Sequence, residues 1–499
     1  MTGLTAALPL LAVLTILMLP GTRVLLAIGV GLTLVSLTSL LPMSFFLTPA
    51  AWLDAVIDGL LTTVPVAYVL LGGITLAQLL RAGGALDRLS STLLHHLPDP
   101  LHRILALIFG IAVFFESVTG FGVGAVVCAP IFVALGYAPW RAATLSLLGL
   151  CAVTWGALAI GTSLGATLAQ IDAARLATLA VPLSLPYWLA IGASALWVAQ
   201  VRGPPARLFL WLVFYVGALA LALLALTRLL AFELAGALAG PLVFMLAALL
   251  GRVGPRKAQR EADRPIPSPI EPERPSLARA LLPLAVLLIG LTLLRIPGPA
   301  AQWAAGHALL AWPARAWQMA PLGHPGTWML IAAGVALVTL PNAQARWREQ
   351  IPGIWRSWRH ASIVVAGFLV FASIMSAAGM TAHLARALSE TFGAGTAWLI
   401  APIAALGGFL TGSNTGSNAM LMQIQLASAH ATGLPVDWSA AAQNTAGANA
   451  TFASPGRLIL ASHLSGCPGS EGRLLRLLLP AALAGTLGVA IVLVAFAGS

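Results

Sequence analysis

Two short polar stretches interrupt otherwise apolar sequence, and their residue types suit a binding site. The first, residues 115–124, reads Phe-Glu-Ser-Val-Thr-Gly-Phe-Gly-Val-Gly; the second, residues 410–418, reads Leu-Thr-Gly-Ser-Asn-Thr-Gly-Ser-Asn. Irregular backbone is not tolerated against lipid, because each unpaired N–H or C=O group costs several kcal/mol there. Both stretches are therefore expected to face protein or a water-filled cavity.

Glu116 is the residue of the first stretch that could do ionic chemistry. It is the only acidic residue between Asp99 and Asp172. A charge inside a membrane costs at least about 2.5–3.5 kcal/mol, so Glu116 should face a cavity. Because burial disfavours its charged form, this carboxylate could bind and release a proton. The alternative is structural, since a carboxylate can also cap the N-terminus of a helix.

Uncharged polar side chains make up the remaining candidates. Hydroxyls and amides, together with backbone N–H groups at helix N-termini, suit an anionic group such as a carboxylate. In the alternative interpretation they satisfy backbone groups that the interruption frees. The candidate binding residues are Ser117, Thr119, Gly120 and Gly122 in the first stretch, Ser413, Asn414, Thr415, Ser417 and Asn418 in the second, and Asn444 and Thr445 beyond it.

The other charged residues have simpler interpretations. Arg457 could pair with Glu116 or with a substrate carboxylate, but long basic side chains commonly extend to the membrane interface, and we favour that interpretation. Asp172, Glu233 and Glu390 lie near predicted span ends, where contact with solvent accounts for them. No metal is predicted, since no metal-binding or redox spacing connects the three cysteines, Cys128, Cys151 and Cys467.

The composition defines the broad class of protein. Of 499 residues, 59% are hydrophobic and only 8% are charged, whereas soluble domains carry about 25% charged residues. Apolar runs of about 20 residues recur from end to end, which indicates a polytopic helical membrane protein. The net charge of +11 does not indicate nucleic-acid binding, because the excess arginines lie in loops between spans, as the positive-inside bias predicts.

The apolar runs fall into two halves, residues 1–251 and 279–499, joined by a basic, proline-rich stretch at 252–278 that should be a cytoplasmic linker. The first run has no basic residues before it, so we interpret it as a retained helix rather than a cleaved signal. Residues 45–58 are expected to form a separate external segment. The predicted membrane segments are 4–19, 24–41, 60–80, 104–137, 140–160, 178–199, 208–227, 229–250, 279–295, 327–341, 361–379, 384–412 and 474–497, with an Asn-rich stretch at 443–456 before the last.

The second polar stretch looks like a repeat of the first. A shift of 296 positions places Thr119 on Thr415 and Gly83 on Gly379. Basic residues follow the span before Gly83 but precede the span before Gly379, which predicts opposite directions through the membrane. Such an inverted repeat places a binding site near the membrane midplane between two half-penetrating hairpins, as in many secondary transporters.

At these residues the chain resembles the lactate/glycolate permease family of bacterial inner-membrane transporters. The resembling pieces are Phe115-Glu116 with Thr119-Gly120-Phe121-Gly122, Phe409-Leu410-Thr411-Gly412-Ser413 with Thr415 and Ser417-Asn418, and Asn444-Thr445 with Ser454-Pro455. The resemblance implies a proton-coupled symporter of small 2-hydroxymonocarboxylates such as lactate and glycolate. It also implies an all-α polytopic fold of two inverted-topology repeats, each with a re-entrant helical hairpin, in which a transport domain moves like an elevator against a scaffold. We expect about 11–14 membrane segments.

The chain departs from the family at three places. Val123-Gly124 follows Gly122 where the family usually has Ala-Pro, Asn414 replaces a usual Asp, and the usual Gly-Lys-Met after Asn444-Thr445 is missing. Losing both an Asp and a Lys indicates that a charge pair was removed together. A carrier of a different organic anion, or a sodium-coupled carrier, therefore stays open as the alternative.

Two other function classes fit the sequence less well. An intramembrane enzyme would need a second titratable group beside Glu116, and the sequence offers only Arg457. A membrane sensor would need a soluble domain longer than the linker. We therefore predict a transporter without a cofactor, with a proton, or alternatively sodium, as its coupling ion. Its expected partners are a small carboxylate and membrane lipids, not nucleic acid, and a homodimer is left open.

Overall fold

The protein is built almost entirely of helices. The structure, a computed structural model, describes residues 2–18, 24–42, 44–94, 99–120, 122–251, 275–295, 302–303, 307, 309–315 and 317–497. The α-helices of the first half are Thr2–Met18, Val24–Leu40, Pro49–Ala82, Ala85–Leu94, Pro100–Ala106, Val113–Thr119, Val123–Ala134, Pro139–Leu148, Gly156–Ala169, Ala173–Val198, Pro205–Leu229 and Phe232–Gly251. Those of the second half are Leu277–Arg295, Pro325–Thr339, Pro341–Ala377, Met380–Phe392, Thr396–Thr411, Asn414–Thr432, Val436–Ala450, Pro455–Leu464 and Glu471–Ala497.

Short irregular helices and one small sheet complete the description. Leu107–Ala112 is a π-helical turn, and the 3₁₀ turns are Val153–Trp155, Pro313–Arg315, Pro321–Gly323, Gly393–Gly395 and Thr451–Ala453. Within the described ranges the strands are Leu310–Trp312 and Trp317–Met319, which pair antiparallel with Leu310 opposite Met319.

The helices are long and apolar enough for a polytopic membrane protein. Among the described residues, nine helices could cross a membrane by length and composition, and the pair Pro139–Leu148 and Val153–Ala169, bent by 60°, could form a tenth. Four shorter apolar helices accompany them. The prediction of an all-helical polytopic membrane protein is therefore confirmed.

Two long helices, Pro49–Ala82 and Pro341–Ala377, pack along each other. Gly59 allows their close approach, because a Cβ atom there would lie only 2.7 Å from the Cα atom of Val370. Together with the first two helices of the chain they enclose a separate apolar core. We call this group the scaffold helices.

The predicted external segment at 45–58 is not a separate element. Thr48 caps the helix Pro49–Ala82, which runs unbroken for 34 residues, about 51 Å at 1.5 Å per residue. Its first turns carry Asp54 and Asp58, which both form ion pairs with Arg315 beside the small sheet. The predicted start of the span at residue 60 is therefore too late, because the two acidic residues lie on the same helix, which is longer than a membrane is thick.

The remaining described helices include two hairpins and two broken segments. The first hairpin covers residues 100–134 and the first broken segment 139–169; the second hairpin covers 396–432 and the second broken segment 436–464. In both halves a hairpin, a broken segment and one long helix follow each other in that order. The opposite orientation of the halves and the elevator-like motion stay predictions.

The two hairpin bends align with each other in a different register from the predicted one. Gly120 and Gly122 form the first bend with positive φ angles of 67° and 78°, and Gly412, with φ of 65°, forms the second. Thr415 lies inside the helix after the second bend. Thr119 therefore corresponds to Thr411, and its predicted match with Thr415 is wrong by about one helical turn. The second polar stretch contains the Thr-Gly pair twice, at 411–412 and at 415–416, and the first of these forms the bend.

Some predictions fall on parts of the chain that the structure does not describe. Residues 252–274 of the predicted linker lie outside the described residues, as does Phe121 in the first polar stretch. The helix Leu277–Arg295 begins the second half. The division at 252–278 stays a prediction.

Candidate functional site

The two hairpin bends meet at one cavity of about 210 Å³. Glu116 and Gly120 line it from the first hairpin, and a continuous run from Thr411 to Gly416 lines it from the second. The scaffold helices close another side with His360, Val364 and Val365, among others. A cavity between two bends and a separate helical group is a place where a small molecule can bind.

Glu116 lies on the helix leading into the first bend and is 1% exposed. Its carboxylate accepts hydrogen bonds from the backbone N–H groups of Gly122 and Gly124, both at 3.4 Å. These two groups begin the next helix, so the capping geometry considered from the sequence is present. The same carboxylate also lies 3.4 Å from Nη2 of Arg457. The cap and the ion pair therefore coexist, and the capping bonds are long.

Arg457 does not extend to the membrane interface, so the favoured interpretation of this residue is wrong. It lies in the first turn of the helix Pro455–Leu464, and its side chain is only 11% exposed. The broken segment turns this helix toward the first hairpin, where Arg457 reaches Glu116. Its Nη1 atom is buried without a hydrogen-bond partner among the described residues. Arg457 therefore has one guanidinium nitrogen on Glu116 and another available for a ligand.

The second bend presents a helix N-terminus to the cavity. Ser413 caps the helix Asn414–Thr432 by accepting a hydrogen bond from the N–H of Gly416 at 3.2 Å. Asn414, Thr415 and Gly416 line the cavity in the first turn of this helix. The positive end of a helix dipole favours a negative group at this position. With Arg457 it forms a cationic face on the cavity.

A network of amides lies directly behind this bend. The side-chain nitrogens of Asn414 and Asn418 each donate to Oδ1 of Asn444, at 2.9 Å in both cases. Nδ2 of Asn444 in turn donates to Oγ1 of Thr162 at 3.1 Å. The network joins the second hairpin to both broken segments, while Oδ1 of Asn414 stays without a partner in the described part of the chain. This oxygen is a buried acceptor on a residue that lines the cavity.

The first broken segment fits against both bends through small residues. Ala157, Leu158 and Ala159 have positive φ angles between 41° and 61°, which cost about 1–2 kcal/mol each for residues with a side chain. A Cβ on Gly120 would lie 2.6 Å from Cβ of Ala157, and one on Gly161 would lie 2.6 Å from Nδ2 of Asn414. Sequence reasoning missed this contact; the closely spaced glycines after residue 155 were the available signal.

The structure separates the predicted binding residues into two groups. Four of them line the cavity beside Glu116: Gly120, Ser413, Asn414 and Thr415. Gly122 lies just outside and donates its backbone N–H to the carboxylate. The others lie within the packing. Ser117 contacts Gly236, Thr119 donates to the carbonyl of Phe115, and Ser417 donates to the carbonyl of Ala404. Asn418 and Asn444 form the network, and Thr445 is fully buried.

Two further residues differ from the sequence-based interpretation. His360 lines the cavity from a scaffold helix, although its sequence position beside Arg359 indicated only a cytoplasmic basic loop. Glu233, which we expected to contact solvent, is 7% exposed. It lies in the first turn of the helix Phe232–Gly251, where that helix packs against the first hairpin. The cavity position of His360 and the burial of Glu233 both depend on packing between distant segments.

The fold and the site define a class of protein. A multi-pass helical membrane protein that encloses a polar, charge-lined cavity between two hairpin bends has the architecture of a secondary transporter. The chain belongs to the L-lactate permease family, whose model matches residues 2–315 and 311–497. It is thus a multi-pass inner-membrane transporter of small organic anions and not an enzyme.

Individual relatives agree with this assignment at low identity. The chain is 24% identical to an L-lactate permease of Streptococcus iniae, covering 83% of this chain and 88% of that protein. It is 23% identical to the glycolate permease GlcA of Escherichia coli, covering 83% and 81% respectively. Among solved structures it is distantly similar to the YdaH transporter of Alcanivorax borkumensis, with a TM-score of 0.43, 18% identity, and coverage of 89% of this chain and 87% of that one.

Proposed function

We propose that this protein carries a small 2-hydroxymonocarboxylate of the lactate or glycolate type across the inner membrane together with a proton. The observation that carries the proposal is the buried pair of Glu116 and Arg457 at the cavity, in which Nη1 of Arg457 has no partner among the described residues. The names of the relatives, L-lactate permease and glycolate permease, support the substrate class.

The substrate carboxylate binds between Arg457 and the first turn of the helix Asn414–Thr432. A guanidinium group suits a carboxylate because it can donate two parallel hydrogen bonds. The helix N-terminus adds further positive potential. Oδ1 of Asn414, which lacks a partner within the described residues, can accept a hydrogen bond from the 2-hydroxyl group. The cationic face thus accounts for the anion, and the amide oxygen accounts for the hydroxyl.

Glu116 couples the anion to a proton. While it is charged, its carboxylate competes with the substrate for Arg457. Protonation removes that competition and leaves the guanidinium group free for the substrate, so proton and anion bind together. The buried cavity then holds one cation, one anion and a neutral acid, an arrangement with no uncompensated charge. Release of the proton on the other side restores the pair and expels the anion.

The departures from the family pattern support this role for Glu116. Asn414 replaces a residue that is usually acidic, and an amide does not titrate in the physiological range. Among the residues described as lining the cavity, Glu116 is the only carboxylate. His360 is the other titratable group beside Arg457 there, but it lies on a scaffold helix and is exposed.

Counterflow in proteoliposomes tests the proposal. Vesicles loaded with unlabelled lactate should take up labelled lactate and glycolate, but not acetate, which lacks the hydroxyl group, or citrate, which has three carboxylates. An inward proton gradient should drive net accumulation, and a sodium gradient at constant pH should not. Accumulation driven by sodium alone would show a sodium-coupled carrier, and preferential uptake of a different anion would contradict the substrate class.

A further inference from the structure

A second cavity lies at the ends of two helices, away from the hairpin bends. It has a volume of about 470 Å³ and is lined by Trp140, Arg141, Leu196, Trp197, Gln200 and Arg202, among others. Its residues come from the start of the helix Pro139–Leu148 and from the end of Ala173–Val198 with the turn that follows. None of them lines the cavity between the two hairpin bends.

Arginines concentrate positive charge around this cavity. The guanidinium carbon of Arg141 lies 5.0 Å from the ring centre of Trp140, and that of Arg473 lies 3.8 Å from the same ring. Arg141 is further held by donating to Oε1 of Gln200 at 2.8 Å, and its Nε atom is buried without a partner in the described chain. Neither these two arginines nor Arg202 forms an ion pair with any described carboxylate.

The one carboxylate close in sequence is already occupied. Glu471 lies two residues from Arg473, but it accepts hydrogen bonds from Oγ of Ser462 at 2.5 Å and from the N–H of Gly469 at 3.1 Å. Arg141 and Arg473 are therefore held by an aromatic ring and, for Arg141, an amide, which fix their positions without neutralising them. Positioned cations that lack a protein counter-ion indicate an external anion.

The apolar part of the cavity indicates which anion. Leu196 and Val201 line it together with Trp197, which is 68% exposed. An exposed tryptophan at a helix end suits the interface between headgroups and acyl chains, and basic pockets between helices on the cytoplasmic side bind anionic lipid headgroups. The basic turn after Val201 indicates that this cavity lies on the cytoplasmic side, because basic loops are concentrated there. We propose that this cavity binds an anionic phospholipid, with its phosphate on Arg141, Arg202 and Arg473 and its acyl chains along Trp197.

Lipid retention by the purified full-length protein tests the proposal. Wild-type protein is extracted in mild detergent, supplied with an equimolar mixture of phosphatidylglycerol and phosphatidylcholine, and examined by native mass spectrometry. We expect phosphatidylglycerol to stay bound to the wild type and its bound fraction to fall at least fivefold in the double variant Arg141→Gln, Arg202→Gln. Arg348→Gln, which removes an exposed arginine outside the cavity, should retain the lipid as the wild type does.

Two outcomes would overturn the proposal. One is equal retention of phosphatidylglycerol by the wild type and by the double variant. The other is displacement of the lipid by an equal concentration of inorganic phosphate, which would show a site for free phosphate. The single variant Arg202→Gln, changed only at an exposed side chain, repeats the test in a protein whose fold it cannot disturb; a monodisperse elution profile and retained counterflow check each variant.

Discussion

Among the described residues Glu116 has three hydrogen-bond partners with different consequences: the N–H groups of Gly122 and Gly124 stabilise its charge locally, and Arg457 is the residue that we propose binds the substrate. Replacing Glu116 by Gln keeps the shape and mimics the protonated form. We expect Glu116→Gln to lose proton-driven accumulation while exchange of labelled for unlabelled substrate survives at least in part. The measurement is both fluxes in the same proteoliposomes.

The pH dependence of the same variant gives an independent readout. If protonation of Glu116 favours anion binding, the apparent affinity of the wild type rises as the pH falls, and the variant lacks this dependence. A purely structural cap predicts instead that accumulation, exchange and melting temperature fall together. Unchanged proton-driven uptake by Glu116→Gln would end the coupling proposal.

Arg457 and Glu116 form a pair that should behave non-additively. Arg457→Gln leaves a buried carboxylate without its partner, which costs about 3–5 kcal/mol of stability. The double variant Glu116→Gln, Arg457→Gln removes both charges, so most of this loss should be recovered. Transport should not be recovered, because the guanidinium group proposed to bind the substrate is missing. Melting temperatures of the two single variants and the double variant measure the coupling; additive losses would contradict a direct ion pair.

At the scale of whole elements, glycines allow the second hairpin and the second broken segment to pack closely. A Cβ on Gly408 would lie 1.9 Å from the carbonyl oxygen of Gly447, a backbone atom that cannot rotate away. Gly408→Ala should therefore cost about 1–3 kcal/mol and lower uptake. Gly334 provides the matched control, since it is also helical and has nothing within 4 Å. Gly334→Ala should be neutral or stabilising by about 0.4–1 kcal/mol. Equal melting temperatures for both variants would contradict the close packing.

Features with a local cause could be predicted from the sequence, whereas features that depend on contacts between distant segments were missed. The polar stretches around Glu116 and Asn414 could be recognised because unsatisfied polar backbone in apolar sequence has a local cause. Arg457 was misplaced and His360 missed because their positions depend on which distant segments pack together. The helix beginning at Pro49 was cut short for a similar reason, since Arg315, which pairs with its acidic residues, lies more than 250 positions away.

At the scale of the whole molecule, helices of the two halves pack directly against each other, as Pro49–Ala82 does against Pro341–Ala377. Residues 256–272 lie within the linker, outside the described residues. Replacing them by a Gly/Ser tether of equal length should preserve counterflow, because only reach is needed. A tether shortened by half serves as the control for reach. Loss of uptake in the equal-length variant, with normal membrane insertion, would show that the basic residues do more than join the halves.

The distance in sequence between Glu116 and Arg457 has a consequence for the synthesis of the protein. The two residues are 341 positions apart, so the ribosome delivers Glu116 to the membrane long before its arginine exists. In that interval the carboxylate has only the N–H groups of its own hairpin, eight residues away or fewer. Thr162 is likewise synthesised well before its hydrogen-bond partner Asn444, which lies 282 positions later. The nascent first half therefore carries an unfinished polar surface within the membrane, and the transporter becomes a single stable body only as its last helices are inserted.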